Sequence, residues 1–233
     1  MPDEMLHSRV TRYHYLSGNR TAALTYRDLF ASKPFSIGGI VPQQIEKLAD
    51  RLPGQLESNL AELISNNTTF PAYRPFLSVR QGPEDHSASN AFDGGVRIPR
   101  REESIHGKVK LCPTCVQEDL IDCGSAYWHR SHHIPGVSVC WRHGDSLIHA
   151  CPKCSHPFYR KLKLLPNLTE PCVCGWNPLN AKTTHKGSDL EKKVALFAHD
   201  ILQRKIPPIG SAVLSSCYVR QCKKCGFAFG NNA

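Results

Sequence analysis

The chain has 233 residues, enough for one large or two modest domains. Its formal net charge of +9 and sequence pI near 9.1 favour a polyanionic partner, nucleic acid before membrane, and no apolar run approaches a membrane span. Most of the 11 cysteines fall in C-x2-C and C-x-C pairs, a ligand spacing rather than a disulfide framework, and the acidic opening Pro2-Asp3-Glu4 has no apolar signal core behind it, so a reducing cytoplasm is expected.

Residues 1–100 hold no cysteine and read as helices joined by Pro/Gly turns. A first helix is predicted over Glu4 to Leu16, with Leu6, Val10 and Tyr13 at helical spacing; His7 and His14 on it read as packing or surface residues. Thr25 to Phe30 is a second short helical piece. Ile45, Leu48, Ala49 and Leu52 form one stripe that Pro53-Gly54 ends, and Leu56, Leu60, Leu63 and Ile64 repeat the pattern up to Asn66-Asn67. Two short amphipathic helices across such a turn suit either a helix-turn-helix unit or an ordinary hairpin burying a core. Arg80 to Ile105 is polar and weakly periodic and reads as a loop or loosely held helix. Arg97, Arg100, Arg101, Lys108 and Lys110 then lead onward as candidate phosphate contacts or a solvated linker.

Two half-sites follow, Cys112-Pro-Thr-Cys115 and Cys140-Trp-Arg-His143-Gly144. Each aims two ligands at one point, and together they make a closed tetrahedral set of three cysteines and one histidine, a structural zinc site. Between them a short helix is predicted over Cys115 to Leu120, stopped near Gly124. Cys123 has no partner at ligand spacing. A second set repeats the first knuckle at Cys151-Pro-Lys-Cys154 and closes at Cys172-Val-Cys174, with 17 residues between the arms. Four cysteines are the expected ligands, and His149 or His156 is the substitute where the short C-x-C arm cannot deliver both thiolates. Tyr159 to Leu165 reads as a strand with Arg160, Lys161 and Lys163 exposed as a phosphate-facing edge. Trp128, Trp141 and Trp176 are expected to pack around the two sites.

In the tail, Ser188 caps a helix running to about Gln203, with Asp189 and Glu191 at its positive end and Leu190, Val194, Leu196-Phe197 and Ile201 as its apolar face. Pro207-Pro208 stops it. Cys222-Lys-Lys-Cys225-Gly226, with Cys217 nearby, has the look of a third knuckle but lacks a fourth ligand. Tyr218, Cys222 and Cys225 fall instead on one helical face that Gly226 ends. Residues 212–225 are therefore expected to be helical, with these three cysteines binding no metal.

Many fixed spacings in the chain resemble one family. The run Cys112-Pro-x-Cys115-x-x-x-Asp119, then Tyr127-Trp128-x-Arg130-x-His132-x-x-Pro135-Gly136-Val137-x-Val139-Cys140-x-x-His143-Gly144-x-x-Leu147, is similar to the TniQ/TnsD family of bacterial transposition proteins. Pro2-Asp3-Glu4-x-Leu6-x-Ser8-x-x-x-Arg12-Tyr13-His14 resembles that family's opening, and Leu52-Pro53-Gly54 and Tyr73-Arg74-Pro75-Phe76 fall where its members carry similar residues. The resemblance covers most of residues 1–180. It favours the helix-turn-helix reading and implies a mainly α protein with small zinc-finger modules. These are a helix-turn-helix-like domain over 1–106, a double zinc finger over 107–180 and C-terminal helices over 181–233. TnsD-type members continue further, so 181–233 is read as the end of a short or truncated member.

What the resemblance implies is target-site selection in DNA transposition. The chain would bind target DNA, or a CRISPR effector complex with guide RNA bound there, and recruit a TnsC-like AAA+ ATPase regulator. Two structural zinc ions would hold it together, and catalysis would lie with its partners. Two rival classes differ from this. One is a zinc nuclease using His129, His132 and His133 as an open site, which lacks the accompanying Asp/Glu pair. The other is a protein-interaction scaffold whose charge is incidental to DNA.

Overall fold

The computed structural model describes residues 1–76, 109–159, 163–183, 185–206, 209 and 211–226. Among them are eight α-helices and no strand longer than an isolated bridge: α1 (Leu6–Leu16), α2 (Ala22–Phe30), α3 (Ile45–Asp50), α4 (Leu56–Asn67), α5 (Phe70–Tyr73), α6 (Pro113–Cys123), α7 (Asp189–Leu202) and α8 (Ser211–Lys224). The protein is mainly helical, as its periodicity indicated.

The first core gathers α1 to α4. Leu6 and Val10 from α1 meet Tyr26 and Phe30 from α2 and Leu48, Leu60, Leu63 and Ile64 from α3 and α4. Tyr26, Phe30 and Phe35 pack as tilted and edge-to-face rings 5.0–5.8 Å apart, an arrangement their quadrupoles favour. Thr21 caps α2 by accepting from the Leu24 N–H. The α3–α4 turn is closed by a side chain from the second helix. The Asn59 amide donates to the Ala49 and Leu52 carbonyls at 3.0 and 3.1 Å, joining the Leu52 N–H on the first and supplying a donor to the second. Gly54, at φ 111, turns the chain just before. Replacing Asn59 by Ala should cost about 1–3 kcal/mol by removing the donor to Leu52 O, read as a lower urea midpoint with unchanged metal content.

Helix α1 starts at Leu6, two residues later than its periodicity predicts. The backbone before it is taken by the central segment: Met5 N–H donates to Trp128 O at 2.9 Å, Arg130 N–H to Asp3 O at 2.8 Å, and Glu4 bridges His129. Extended pairing there outcompetes two more residues of helix. Glu4, fully buried, is held by the Arg12 guanidinium at 2.8 and 3.1 Å and by Ser8.

A second core forms under the central segment from Val109, Leu111, Val116, Trp128, Leu165 and Leu168. Leu111 and Ile148 exchange both backbone bonds at 2.9 Å. Of the strand expected over 159–165, residues 160–162 lie outside the described residues, and its described ends are not in a strand. The expectation for 80–105 also lies outside them.

Helix α7 carries a full capping box: Ser188 accepts from Glu191 N–H while the Glu191 carboxylate takes the Ser188 N–H. Its buried face keeps Ile201 from the predicted one and otherwise differs. Ala195, Ala198, Ile201 and Leu202 are buried, whereas Leu190, Val194, Leu196 and Phe197 are 71, 42, 45 and 54 % exposed. Ser138 donates to Glu191 at 2.8 Å and fixes the helix start, so the small Ala195 and Ala198 face Val137 and Val139, where only a small side chain permits close approach. Helix α8 covers the tail stretch predicted to be helical, with Gly226 left-handed at its end. Cys217 and Cys225 are exposed along it and Cys222 is half-buried.

Candidate metal centres

Four ligand atoms converge at each of two places. Cys112, Cys115, Cys140 and His143 bring theirs within 4.8 Å of one another, and so do Cys151, Cys154, Cys172 and Cys174. These are the two sets that the spacing marked; His149 and His156 belong to neither.

At the first centre the two halves are built differently. Cys112 is the N-cap of α6 and Pro113 its first residue, so the helix begins earlier than predicted and presents Cys112 and Cys115 at its positive end, where thiolates are favoured. Cys140 and His143 come from a turn in which Gly144 N–H donates to Cys140 O at 2.8 Å, with Gly144 left-handed at φ 68. His143 Nδ1 stands 3.5, 3.4 and 3.5 Å from the sulfurs of Cys112, Cys115 and Cys140, and the Cys115 and Cys140 sulfurs are 3.6 Å apart. A tetrahedral ion with zinc-like bonds gives S–S edges of about 3.8 Å and S–N edges of about 3.6 Å. The geometry therefore fits a four-coordinate ion with no open position.

The electrostatics agree. The neighbouring Cys112 and Cys140 thiols, and then burial, push the Cys115 thiol far above its ordinary range. Three thiolates cannot share this buried point without a cation, and a metal supplies it. Outer contacts orient the ligands. Glu118 Oε2 lies 3.0 Å from His143 Nε2, so that nitrogen donates and Nδ1 is left to face the sulfurs; Arg142 holds the same carboxylate at 2.8 Å. Asp145, fully buried, accepts from Thr114 at 2.5 Å, from Thr183 at 2.8 Å and from Lys186, and these three donors hold its pKa down against burial. It thereby ties α6 and the strap before α7 to the turn carrying His143. Glu118→Ala should weaken the first centre's metal affinity about 10–100-fold, measured by competition with a chelator, and leave the second unchanged.

The second centre is shallower. Cys151 is buried, Cys172 and Cys174 half-buried and Cys154 exposed. The Cys151–Cys174 and Cys154–Cys172 sulfurs are 3.4 and 3.6 Å apart, so the short C-x-C arm delivers both thiols. Ser155 N–H donates to Cys151 O at 2.8 Å and Gly175 N–H to Cys172 O at 2.7 Å. Gly144, Ser155 and Gly175 follow their ligand turns with φ of 68, 57 and 83.

The three tryptophans pack near these centres. Trp128 is buried, with its indole N–H on Pro166 O at 3.2 Å; Trp141 stacks on His199 at 3.7 Å; Trp176 stacks on Phe158 at 6.0 Å. The histidine cluster is already engaged. His129 Nε2 meets Asp119 at 2.8 Å, and although burial lowers its pKa, Asp119 and Asp3 outweigh this and hold it up. His133 donates through Nδ1 to His129 O at 2.7 Å and accepts the Lys110 N–H at 3.1 Å, while burial pushes its pKa down to about 3. His132 Nε2 points at the Cys115 sulfur from 3.9 Å.

Of the cations singled out for DNA, Arg97, Arg100, Arg101, Lys108, Arg160 and Lys161 lie outside the described residues. Lys110 donates its ammonium to Val137 O, and Lys163 is exposed. Glu118, Asp145 and the Asp3–Arg130 pair were not assigned roles from the sequence. Asp3 and Arg130 fall within the family-like spacings, and Glu118 and Asp145 stand within three residues of a ligand in the sequence.

This fold and donor set coincide with a family match. Residues 1–147 match the TniQ family, a span holding every ligand of the first centre, and the chain belongs to that family. It is also 21 % identical over 147 residues to the transposon Tn7 transposition protein TnsD of Escherichia coli. That alignment covers 61 % of this chain and 29 % of the relative. Among the described residues no helix is long and apolar enough to cross a membrane.

Proposed function

We propose that the chain is a target-site-selection adaptor for DNA transposition, held together by two structural zinc ions. One ion sits on Cys112, Cys115, Cys140 and His143, the other on Cys151, Cys154, Cys172 and Cys174. The adaptor binds target DNA, or a CRISPR effector with guide RNA bound there, and recruits a TnsC-like AAA+ ATPase regulator in the bacterial cytoplasm. Its partners carry the catalysis. The observation behind this reading is the family match over residues 1–147, which spans the helical core and the whole first centre. Both centres are saturated by four protein ligands, which suits a scaffold and offers a substrate no coordination site.

On immobilised target duplex, the ATPase should be retained when this chain is present and washed away when it is absent. Equal retention in both lanes would contradict recruitment. The basic stretches at 97–110 and 160–163 are proposed phosphate contacts. Charge reversal at Arg160 and Lys163 should then make log affinity less steep against log salt, by about 0.9 for each phosphate no longer neutralised, with zinc content unchanged.

A further inference from the structure

Arg130 stands between two adjoining cavities of about 410 and 440 Å³, whose walls share Glu62, Asn66 and Gln203 as well. Arg9, Arg142 and His199 also line the first, and Arg204 the second. Four guanidinium groups thus meet where α1, α4, the first metal centre and the end of α7 converge. The acids present do not balance them. Both Asp3 oxygens are engaged, one by Arg130 Nε at 3.2 Å and the other by the Ser131 N–H and hydroxyl at 3.1 and 2.6 Å. Arg142 pairs with Glu118. Among the described residues Arg9 donates only to the neutral Asn67 amide, at 3.0 Å, and Arg204 has no carboxylate partner. Glu62 is exposed at the rim.

Two further observations point to an anion as the ligand. Arg204 is held left-handed at φ 56, where glycine is the usual residue after a helix end. That conformation keeps it close enough for its charge, after burial, to help lower the Arg130 pKa. Asp3 pairs with Arg130 but not with Arg204, and Glu62, the carboxylate on the wall the two cavities share, stands exposed at the rim, so the repulsion between the two like charges is relieved when an anion joins them. The second observation is His199, its side chain only 10 % exposed, whose Nδ1 is buried without a hydrogen-bond partner. Asp200 Oδ1 stands 3.6 Å from it, within ion-pair range but longer than a hydrogen bond.

We propose that this trough binds a backbone phosphate of nucleic acid, with Arg9, Arg130 and Arg204 supplying charge and the His199 imidazole a hydrogen bond. The inference rests on the DNA-binding reading above and places a contact on the described face, apart from the stretches at 97–110 and 160–163. Charge-assisted bonds to guanidinium groups are the common currency of such contacts, and the amides of Asn66 and Gln203 stand ready as further donors.

The test is fluorescence anisotropy with a labelled duplex over a range of salt, on zinc-loaded full chain. Arg9→Ala with Arg204→Ala should make the slope of log affinity against log salt shallower by about 0.9, the one phosphate the trough neutralises, with zinc content and melting temperature unchanged. His199→Phe keeps a ring against Trp141 and removes the donor, so it should weaken binding several-fold without altering the slope. Wild-type binding with an unchanged slope in the double variant overturns the trough and leaves DNA binding standing. Failure of the wild type to bind duplex at low salt removes the DNA reading itself. A third arm adds millimolar ATP: a rise in melting temperature that the double variant loses, with its DNA slope intact, would make the trough a nucleotide pocket and overturn the proposal.

Discussion

Replacing Cys140 by serine is expected to remove one zinc ion per chain and to unfold the central segment, while Cys172→Ser removes one ion at much smaller cost in stability. The difference follows from depth. Cys112 and Cys140 are fully buried, and the turn they close is continuous with the packing of Val137 and Val139 on α7. The second centre lies at the surface, with Cys154 exposed. A structural zinc contributes about 10–16 kcal/mol in small folds, as much as the whole stability of a typical domain, about 5–15 kcal/mol. Loss of the first ion should therefore abolish the near-ultraviolet circular dichroism of Trp128 and Trp141. Elemental analysis of chelator-free protein should give two zincs for the wild type and one for each variant. Replacing Cys217, Cys222 and Cys225 together should leave the count at two.

The second large effect belongs to Arg130. Its guanidinium is 3 % exposed and reaches Asp3 at 3.2 Å, Ser65 O at 2.7 Å and Thr68 O at 3.0 Å, so one side chain joins the chain's opening, the end of α4 and the central segment. Arg130→Ala removes the cation from Asp3, whose second oxygen keeps the Ser131 donors, and takes the guanidinium from two carbonyls. Breaking a buried pair from one side costs about 3–5 kcal/mol. The variant should show a fall of that size in denaturant unfolding. Asp3→Asn, which keeps an acceptor for Arg130, should lose less. Equal stability of Arg130→Ala and wild type would mean that the two segments do not depend on this side chain.

Legibility in the sequence tracked how local each cause is. Helices α3, α4 and α8 were readable because their apolar stripes and Gly or Pro stops act within a turn or two, whereas the start of α2 at Ala22, capped by Thr21, lies three residues before the predicted Thr25. Both metal sets were readable because a turn that brings two ligands together must space them by one to two residues. The face of α7 was not: large Leu190, Val194 and Phe197 mark the sequence pattern, but docking chose the stripe of Ala195 and Ala198, whose small size shows only against Val137 and Val139. The start of α1 was hidden for the same reason, since Met5 and Glu4 answer to Trp128 and His129, more than 120 positions away. Glu118 sits on a helix like any solvated acid until His143 folds beside it.

The central claim, that this chain chooses where a transposon inserts, is tested most directly by mapping insertions. Cells carrying the transposon with its AAA+ ATPase and transposase should show insertions gathered at a defined target when this chain is supplied. They should show few or scattered ones when it is withheld or carries Cys140→Ser. The same insertion profile with and without the chain would contradict the account.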